Sequence, residues 1–153
     1  VRRRIKMASR KPLVINGGMI EQLQSGDSLD AATTGKDVAI LEAAESLVLG
    51  DVVYISAAGV VSKSKADASA TAKAIGLVAD AAIESAASGA IQTDGILAGL
   101  TGLTAGSAYY LSADTAGLIT PTPPSTAGNF VVRIGTAIST TELEISIREP
   151  IKL

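Results

Sequence analysis

From Val38 onward, apolar residues fall into short runs: AILEA, ESLVL, DVVYIS, GVVSK, AIGLVAD, GAIQTDGIL, AYYLSA, GLITPT, FVVRIGTAIS and ELEISI. Gly, Ser, Asp or Pro punctuates them at intervals of about ten residues, and Val, Ile and Tyr dominate, the rhythm of strands in a sandwich or barrel. One segment breaks the pattern. KADASATAKA, residues 65–74, is dense in alanine with Asp67 at an N-cap position, which predicts one or two helical turns between strands. PTPPST, 121–126, must be extended and cannot sit in a central strand. Nearer the start, PLVINGGMIEQL places Asn16-Gly17 or Gly17-Gly18 between two short apolar runs, which predicts a small hairpin. QSGDSLDAATTGKD, 24–37, is polar and turn-rich and reads as a linker. The expected fold is mainly β: a small β-barrel or sandwich built from two similar β-hairpin units, with one short helix and an extended N-terminal arm.

The two units are visible as a repeat. GDVVYISAAGVV at 50–61 returns as GSAYYLSADTAGLI at 106–119. Gly50 aligns with Gly106, Tyr54 with Tyr110, Ile55 with Leu111 and Ser56 with Ser112. After a two-residue insertion, Ala58-Gly59-Val60-Val61 meets Ala116-Gly117-Leu118-Ile119. Ile75-Gly76 has its counterpart in Ile134-Gly135. Each copy reads strand, tight turn, strand, connector, then an Ile-Gly strand, and two such units can close a shared core. Short Tyr-x-Ser and Ala-Gly patterns also arise by chance in Ala/Ser-rich sequence. The division expected is an N-terminal arm with a short hairpin, 1–37, and a β body, 38–153, with internal duplication over 38–97 and 98–149.

Composition narrows the chemistry. The chain has three Tyr, one Phe and no Trp, so its core is built from small aliphatic side chains. At 153 residues it can bury roughly 70% of the surface its unfolded form exposes. Cys and His are both absent, which removes disulfides, Ser-His-Asp and Cys-His nucleophiles and the usual zinc sites. No GxxxxGK[ST] loop, GxSxG elbow or GxGxxG fingerprint occurs. Ser62-Lys63-Ser64-Lys65 matches SxxK without its companion motifs and reads as a solvated connector. Asp27 with Asp30, and Glu42 with Glu45, are spaced as paired carboxylates but lack calcium-loop spacing, and read as surface acids. Asp51 is expected to satisfy backbone amides at a turn. Tyr54, Tyr109 and Tyr110 are expected to pack across hairpins rather than to stack on a sugar or base. The expectation is no enzyme activity, no cofactor and no metal.

The formal net charge of −2 hides an uneven distribution. Arg2, Arg3, Arg4, Lys6, Arg10 and Lys11 crowd the first eleven residues with no acid among them, while the remainder holds seven basic and fifteen acidic groups. A cationic arm on an acidic body is an electrostatic tether, screened beyond about 8–10 Å near physiological salt. Together with Leu13, Val14 and Ile15, these six cations are the candidate partner-binding residues. The tether's partner on this reading is nucleic acid or an acidic protein surface. No apolar run of about 7–15 residues follows VRRRIK, and no uncharged run of about 18 occurs, so neither a signal peptide nor a membrane-spanning helix is expected.

KPLVINGGMIEQLQSGD resembles a segment common near the start of modules in tailed-bacteriophage virion proteins. Gly50 to Val61, Ile75-Gly76-Leu77-Val78, Ser88-Gly89-Ala90 and Thr93-Asp94-Gly95-Ile96-Leu97 together resemble the bacteriophage head decoration, or capsid cement, proteins. The second half, from Leu100 to Ser139, is similar to modules in decoration proteins and in tail-fibre or tail-tip proteins. Some decoration proteins are a single β unit, and this chain departs from them in carrying two. The resemblance implies a β-rich, homotrimeric virion protein on the capsid surface that clamps neighbouring major capsid subunits and does no chemistry. The alternative it leaves is a tail-fibre, tail-tip or baseplate-associated module that takes part in host recognition.

Overall fold

The computed structural model of the chain describes residues 37–153 and, ahead of them, two strands. The chain divides into two compact units, Val1–Ala32 and Thr33–Leu153. In the first, β1 (Leu13–Asn16) and β2 (Met19–Gln22) pair antiparallel from Leu13↔Gln22 to Asn16↔Met19. Gly17 and Gly18, on which the two turn placements read from the sequence fall, lie outside the described residues.

The described residues of the second unit form strands, turns and loops, with no helix. Its first half contains β3 (Val38–Ala43), β4 (Leu47–Val48), β5 (Val52–Ala57), β6 (Val60–Lys63), β7 (Gly76–Val78), β8 (Ala82–Ile83) and β9 (Ser88–Gln92). Five of these close a barrel in the order β3-β6-β5-β7-β9, and β4 pairs with β8. Its second half contains β10 (Gly95–Ala98), β11 (Ala108–Leu111), β12 (Ile119–Thr120), β13 (Phe130–Val131), β14 (Arg133–Ala137), β15 (Glu142–Ile145) and β16 (Ile151–Lys152). Here five strands form an open sheet in the order β10-β15-β14-β11-β12, and β13 pairs with β16.

These two orders are the same order. Starting from β3 and going round the barrel through β9, β7, β5 and β6 matches β10, β15, β14, β11 and β12 strand for strand. The registers agree as well. Tyr54↔Ser62 and Ile55↔Val61 in the first hairpin correspond to Tyr110↔Thr120 and Leu111↔Ile119 in the second. Val52↔Leu77 and Val53↔Gly76 correspond to Ala108↔Thr136 and Tyr109↔Gly135. Even isolated backbone bonds recur: Gly50 N–H donates to Val78 O at 2.9 Å, and Gly106 N–H to Ala137 O at 2.7 Å. The glycines that open the hairpins share a left-handed φ, 85° at Gly50 and 80° at Gly106.

The repeat accounts for the Ile-Gly motif. A Cβ on Gly76 would sit 2.6 Å from the carbonyl oxygen of Gln92 on the neighbouring strand, and one on Gly135 would collide with the carbonyl oxygen of Glu144. The two carbonyls occupy equivalent positions on β9 and β15. Glycine is therefore required at both sites by close strand approach.

Two cores result. Val53, Val61, Val78, Ile83 and Ile91 fill the closed barrel with Ala43 and Leu47. A larger core gathers Tyr109, Leu111, Val132, Ile134, Leu143 and Ile145 of the open sheet with Val52 and Leu77 of the barrel. Adjacent residues Val52 and Val53, like Leu77 and Val78, thus belong to different cores. This is why β5 and β7 read as continuous apolar runs while β11 and β15 alternate.

The helix expected over 65–74 is absent; the segment is a loop of turns. Its single α-type bond runs from Ala72 N–H to Ala68 O at 2.9 Å. The Thr71 hydroxyl instead donates to Lys65 O at 2.8 Å, and Lys65 N–H returns a bond to Thr71 O at 3.2 Å, closing the loop on itself. Ala66 and Ala72 are fully buried in the larger core. Their small size serves close packing, which a helix-propensity argument misreads. The run FVVRIGTAIS is also interrupted: it breaks at Val132 into β13, which pairs with β16, and β14, whose register against β11 shifts by a bulge between Arg133 and Gly135; the C-terminal strand β16 was not anticipated.

Candidate interaction surface

Among the described residues no group of three or more His, Cys, Asp or Glu side chains is placed to hold a metal ion. Several of the described acids have structural partners. Asp51, 4% exposed, takes the Lys63 ammonium at 3.0 Å and accepts from Val48 N–H at 2.9 Å. Both bonds fall on Oδ2. The hairpin turn of the second repeat packs on the other side: Val52 N–H donates to Gly117 O at 2.8 Å, and Gly117 N–H to Ser64 O at 2.7 Å. A Cβ on Gly117 would meet Asp51 Oδ1 at 2.6 Å. Asp51 was expected to serve backbone amides; it does so at Val48 and also pairs with Lys63 at the far end of its own hairpin, beneath the Gly117 turn of the second repeat. That pairing was not legible, because burial of the carboxylate depends on the second repeat packing there.

Asp51→Ala orphans Val48 N–H and leaves the partly exposed Lys63 without its carboxylate. The expected cost is about 1–3 kcal/mol, readable from urea unfolding. Lys63→Met, which keeps the apolar stem, should cost less than Asp51→Ala.

The SxxK stretch is likewise structural. Lys65 pairs with Asp67 at 2.8 Å, so its ammonium is engaged, and Ser64 is buried in the junction just described. The hydrogen bond from Lys65 holds the Asp67 carboxyl below its ordinary range against the opposing desolvation, with the Lys65 charge and the Thr71 hydroxyl adding to the lowering. Glu45 Oε1 accepts from Lys63 N–H at 3.1 Å, and Glu42 lies exposed on β3, so the two do not form a catalytic pair.

Tyr109 is buried, and its hydroxyl accepts from Thr104 N–H at 3.0 Å. Tyr110 and its repeat equivalent Tyr54 are half-buried. The three tyrosines therefore do not form an open stacking platform. Tyr109→Phe should cost about 1 kcal/mol, seen as a matching shift in the denaturation midpoint with unchanged slope.

What the body offers to a partner is apolar β surface. On β3 the outward residues Val38 and Ile40 are 48% and 68% exposed, while Leu41 and Ala43 turn inward. Ile55, Ile96 and Ile138 add further exposed aliphatics. A second feature is a groove of about 590 Å³ beside the open sheet, walled by Leu49, Leu100, Leu103, Tyr109, Leu118 and Ile119. Arg2, Arg3, Arg4, Lys6, Arg10 and Lys11 lie outside the described residues, as do Asp27 and Asp30; Leu13, Val14 and Ile15 belong to β1, and their side chains lie outside the described set. Comparison with family models and with curated proteins returned no match.

Proposed function

We propose that this chain is a structural virion protein that binds the outer surface of a tailed-bacteriophage capsid and cements neighbouring major capsid subunits. The observation that carries the reading is the repeated β unit built on the decoration-like motifs. Its hairpins and Ile-Gly strands fall at equivalent positions in two halves. Asp51, Asp67 and Tyr109 serve packing and turn geometry, and exposed β-branched residues on β3 supply an adhesive face. An apolar face with a cationic tether suits a protein surface: the tether speeds encounter and the face holds the complex. Homotrimers placed at local symmetry axes would multiply weak contacts into firm attachment.

The test is mechanical. Purified expanded heads incubated with the protein should rupture at a higher temperature than bare heads, and the gain should shrink at high salt. An unchanged rupture temperature at saturating protein would overturn the reading. The tail-module alternative called for an accessible Tyr109–Tyr110 pair, and burial of Tyr109 removes that support.

A further inference from the structure

The link between the two repeats is short and firmly held. β9 ends at Gln92 and β10 begins at Gly95, so Thr93 and Asp94 alone join the halves. Thr93 N–H donates to Asp37 O at 2.8 Å, and the Thr93 hydroxyl donates to the same oxygen at 3.2 Å. On the other side Gly95, with φ of 82°, opens the β10–β15 ladder opposite Ile145. Asp94 stands between them, exposed.

Two hydrogen bonds converge on the Asp94–Gly95 peptide group. Its N–H, that of Gly95, donates to Asp94 Oδ1 at 2.7 Å. Its carbonyl oxygen, that of Asp94, accepts from Gln92 Nε2 at 2.9 Å. Gln92 is 2% exposed, so its amide donates from a fixed position. The equivalent positions of the second repeat hold Glu144, Ser146 and Ile147, so only the link carries this arrangement.

An amide nitrogen held against the carboxyl of the preceding residue is placed for ring closure. The Gly95 nitrogen forms a bond to Asp94 Cγ, and a C–O bond of the protonated carboxyl breaks. The nitrogen's proton and the departing hydroxyl leave as one water, and the product is a succinimide. Hydrolysis returns that water at either carbonyl. Opening at Cγ restores aspartate, and opening at the main-chain carbonyl gives isoaspartate, with the chain running through the side-chain carboxyl.

The fold favours closure in three ways. Nitrogen and carboxyl are neighbours with both flanks of the link anchored, so little chain freedom is lost on the way to reaction. Gly95 has no Cβ to obstruct the attack, and its backbone lies where other residues are strained. The Gln92 amide meets the charge that the carbonyl oxygen gathers as the nitrogen gives up its proton. Exposure of Asp94 lets water leave and return.

We infer that Asp94–Gly95 is a site of spontaneous backbone modification, cyclising to succinimide and ageing to isoaspartate, with Gln92 as the positioning residue that speeds it. Isoaspartate inserts a methylene into the main-chain link between the repeats, beside the first rung of the β10–β15 ladder. The reaction needs only the purified protein, so it stands or falls separately from the capsid reading.

The experiment uses the full chain. Protein is held in warm neutral buffer, either folded or in unfolding urea, then sampled over time, digested and assayed for isoaspartate by chromatography and enzymatic methyl transfer. The folded chain should form isoaspartate at Asp94 about three- to tenfold faster than the unfolded chain, the effect of one added hydrogen bond on a rate. Gln92→Met, which keeps the length of the side chain and removes the donor, should bring the folded rate down to the unfolded one. Asp94→Glu should remove the signal, because its larger ring closes far more slowly. A folded wild-type rate no higher than the rate in urea would overturn the inference, whether or not Gln92→Met folds. So would a Gln92→Met variant, folded by its melting curve, that ages as fast as wild type, or a signal that survives Asp94→Glu.

Discussion

Gly135→Ala is expected to abolish the stable fold or to lower the melting temperature by about 10 °C. The added Cβ has nowhere to go: it meets the Glu144 carbonyl oxygen, with Leu143 Cγ at 3.2 Å behind it. Both are anchored in β15, which is held by β14 on one side and β10 on the other. Relief requires β14 and β15 to part, which breaks ladder hydrogen bonds and opens the larger core around Ile134 and Leu143. Overpacking of this kind costs typically 1–3 kcal/mol, and a backbone obstacle in a central strand belongs at or above the upper end. Gly76→Ala should behave alike, since its Cβ would lie 2.6 Å from Gln92 O and 2.9 Å from Ile91 Cγ2. Gly102→Ala supplies the control. Its φ is 72° with nothing within 4 Å, so it carries only the left-handed backbone cost of about 1–2 kcal/mol. Thermal melts of the three variants separate close strand approach from backbone conformation. Equal losses at Gly135 and Gly102 would contradict the steric account.

Leu77→Ala should cost about 3 kcal/mol, within the range of about 2–5 kcal/mol found for emptying a well-packed leucine site. Leu77 is fully buried on a barrel strand, yet it faces the core shared with the open sheet. Its neighbours in that core include Val52 from the barrel and Leu111 and Ile134 from the second repeat, all with little room to collapse inward. The loss should register as a midpoint shift in chemical unfolding with an unchanged slope, because both halves still unfold together. Val78→Ala, one residue on, empties part of the barrel interior instead and should cost less, since it removes two methyl groups rather than an isopropyl group. Ile40→Ala, at 68% exposure, should change stability by no more than about 0.5 kcal/mol.

Much of this architecture was readable from residue order. Alternation and turn residues located the hairpins, and Ala58-Gly59 and Ala116-Gly117 marked equivalent turns. Ile75-Gly76 and Ile134-Gly135 marked the third strand of each unit. The failures have physical causes. KADASATAKA was read as helical on alanine content, whereas Ala66 and Ala72 are small because the core closes over them. Closure of one repeat and not the other could not be read, because it hinges on the turn at Gly99 and on bonds from Leu100 and Leu103 to a distant loop. The Asp51–Lys63 pair was missed for a related reason: burial of the carboxylate comes from packing of the second hairpin turn, which local sequence does not encode. Strand β16 is only two residues long and exists because Phe130 and Val131 are there to pair with it.

We propose that this repeated β body works by adhesion to a capsid. Electron cryomicroscopy of expanded empty heads incubated with the purified protein tests that most directly. The predicted result is a map with ordered density for a closed five-stranded barrel and its adjoining open sheet at each occupied local symmetry axis, contacting more than one major capsid subunit. Bare heads at saturating protein, with the same preparation adsorbing to host cells, would contradict it.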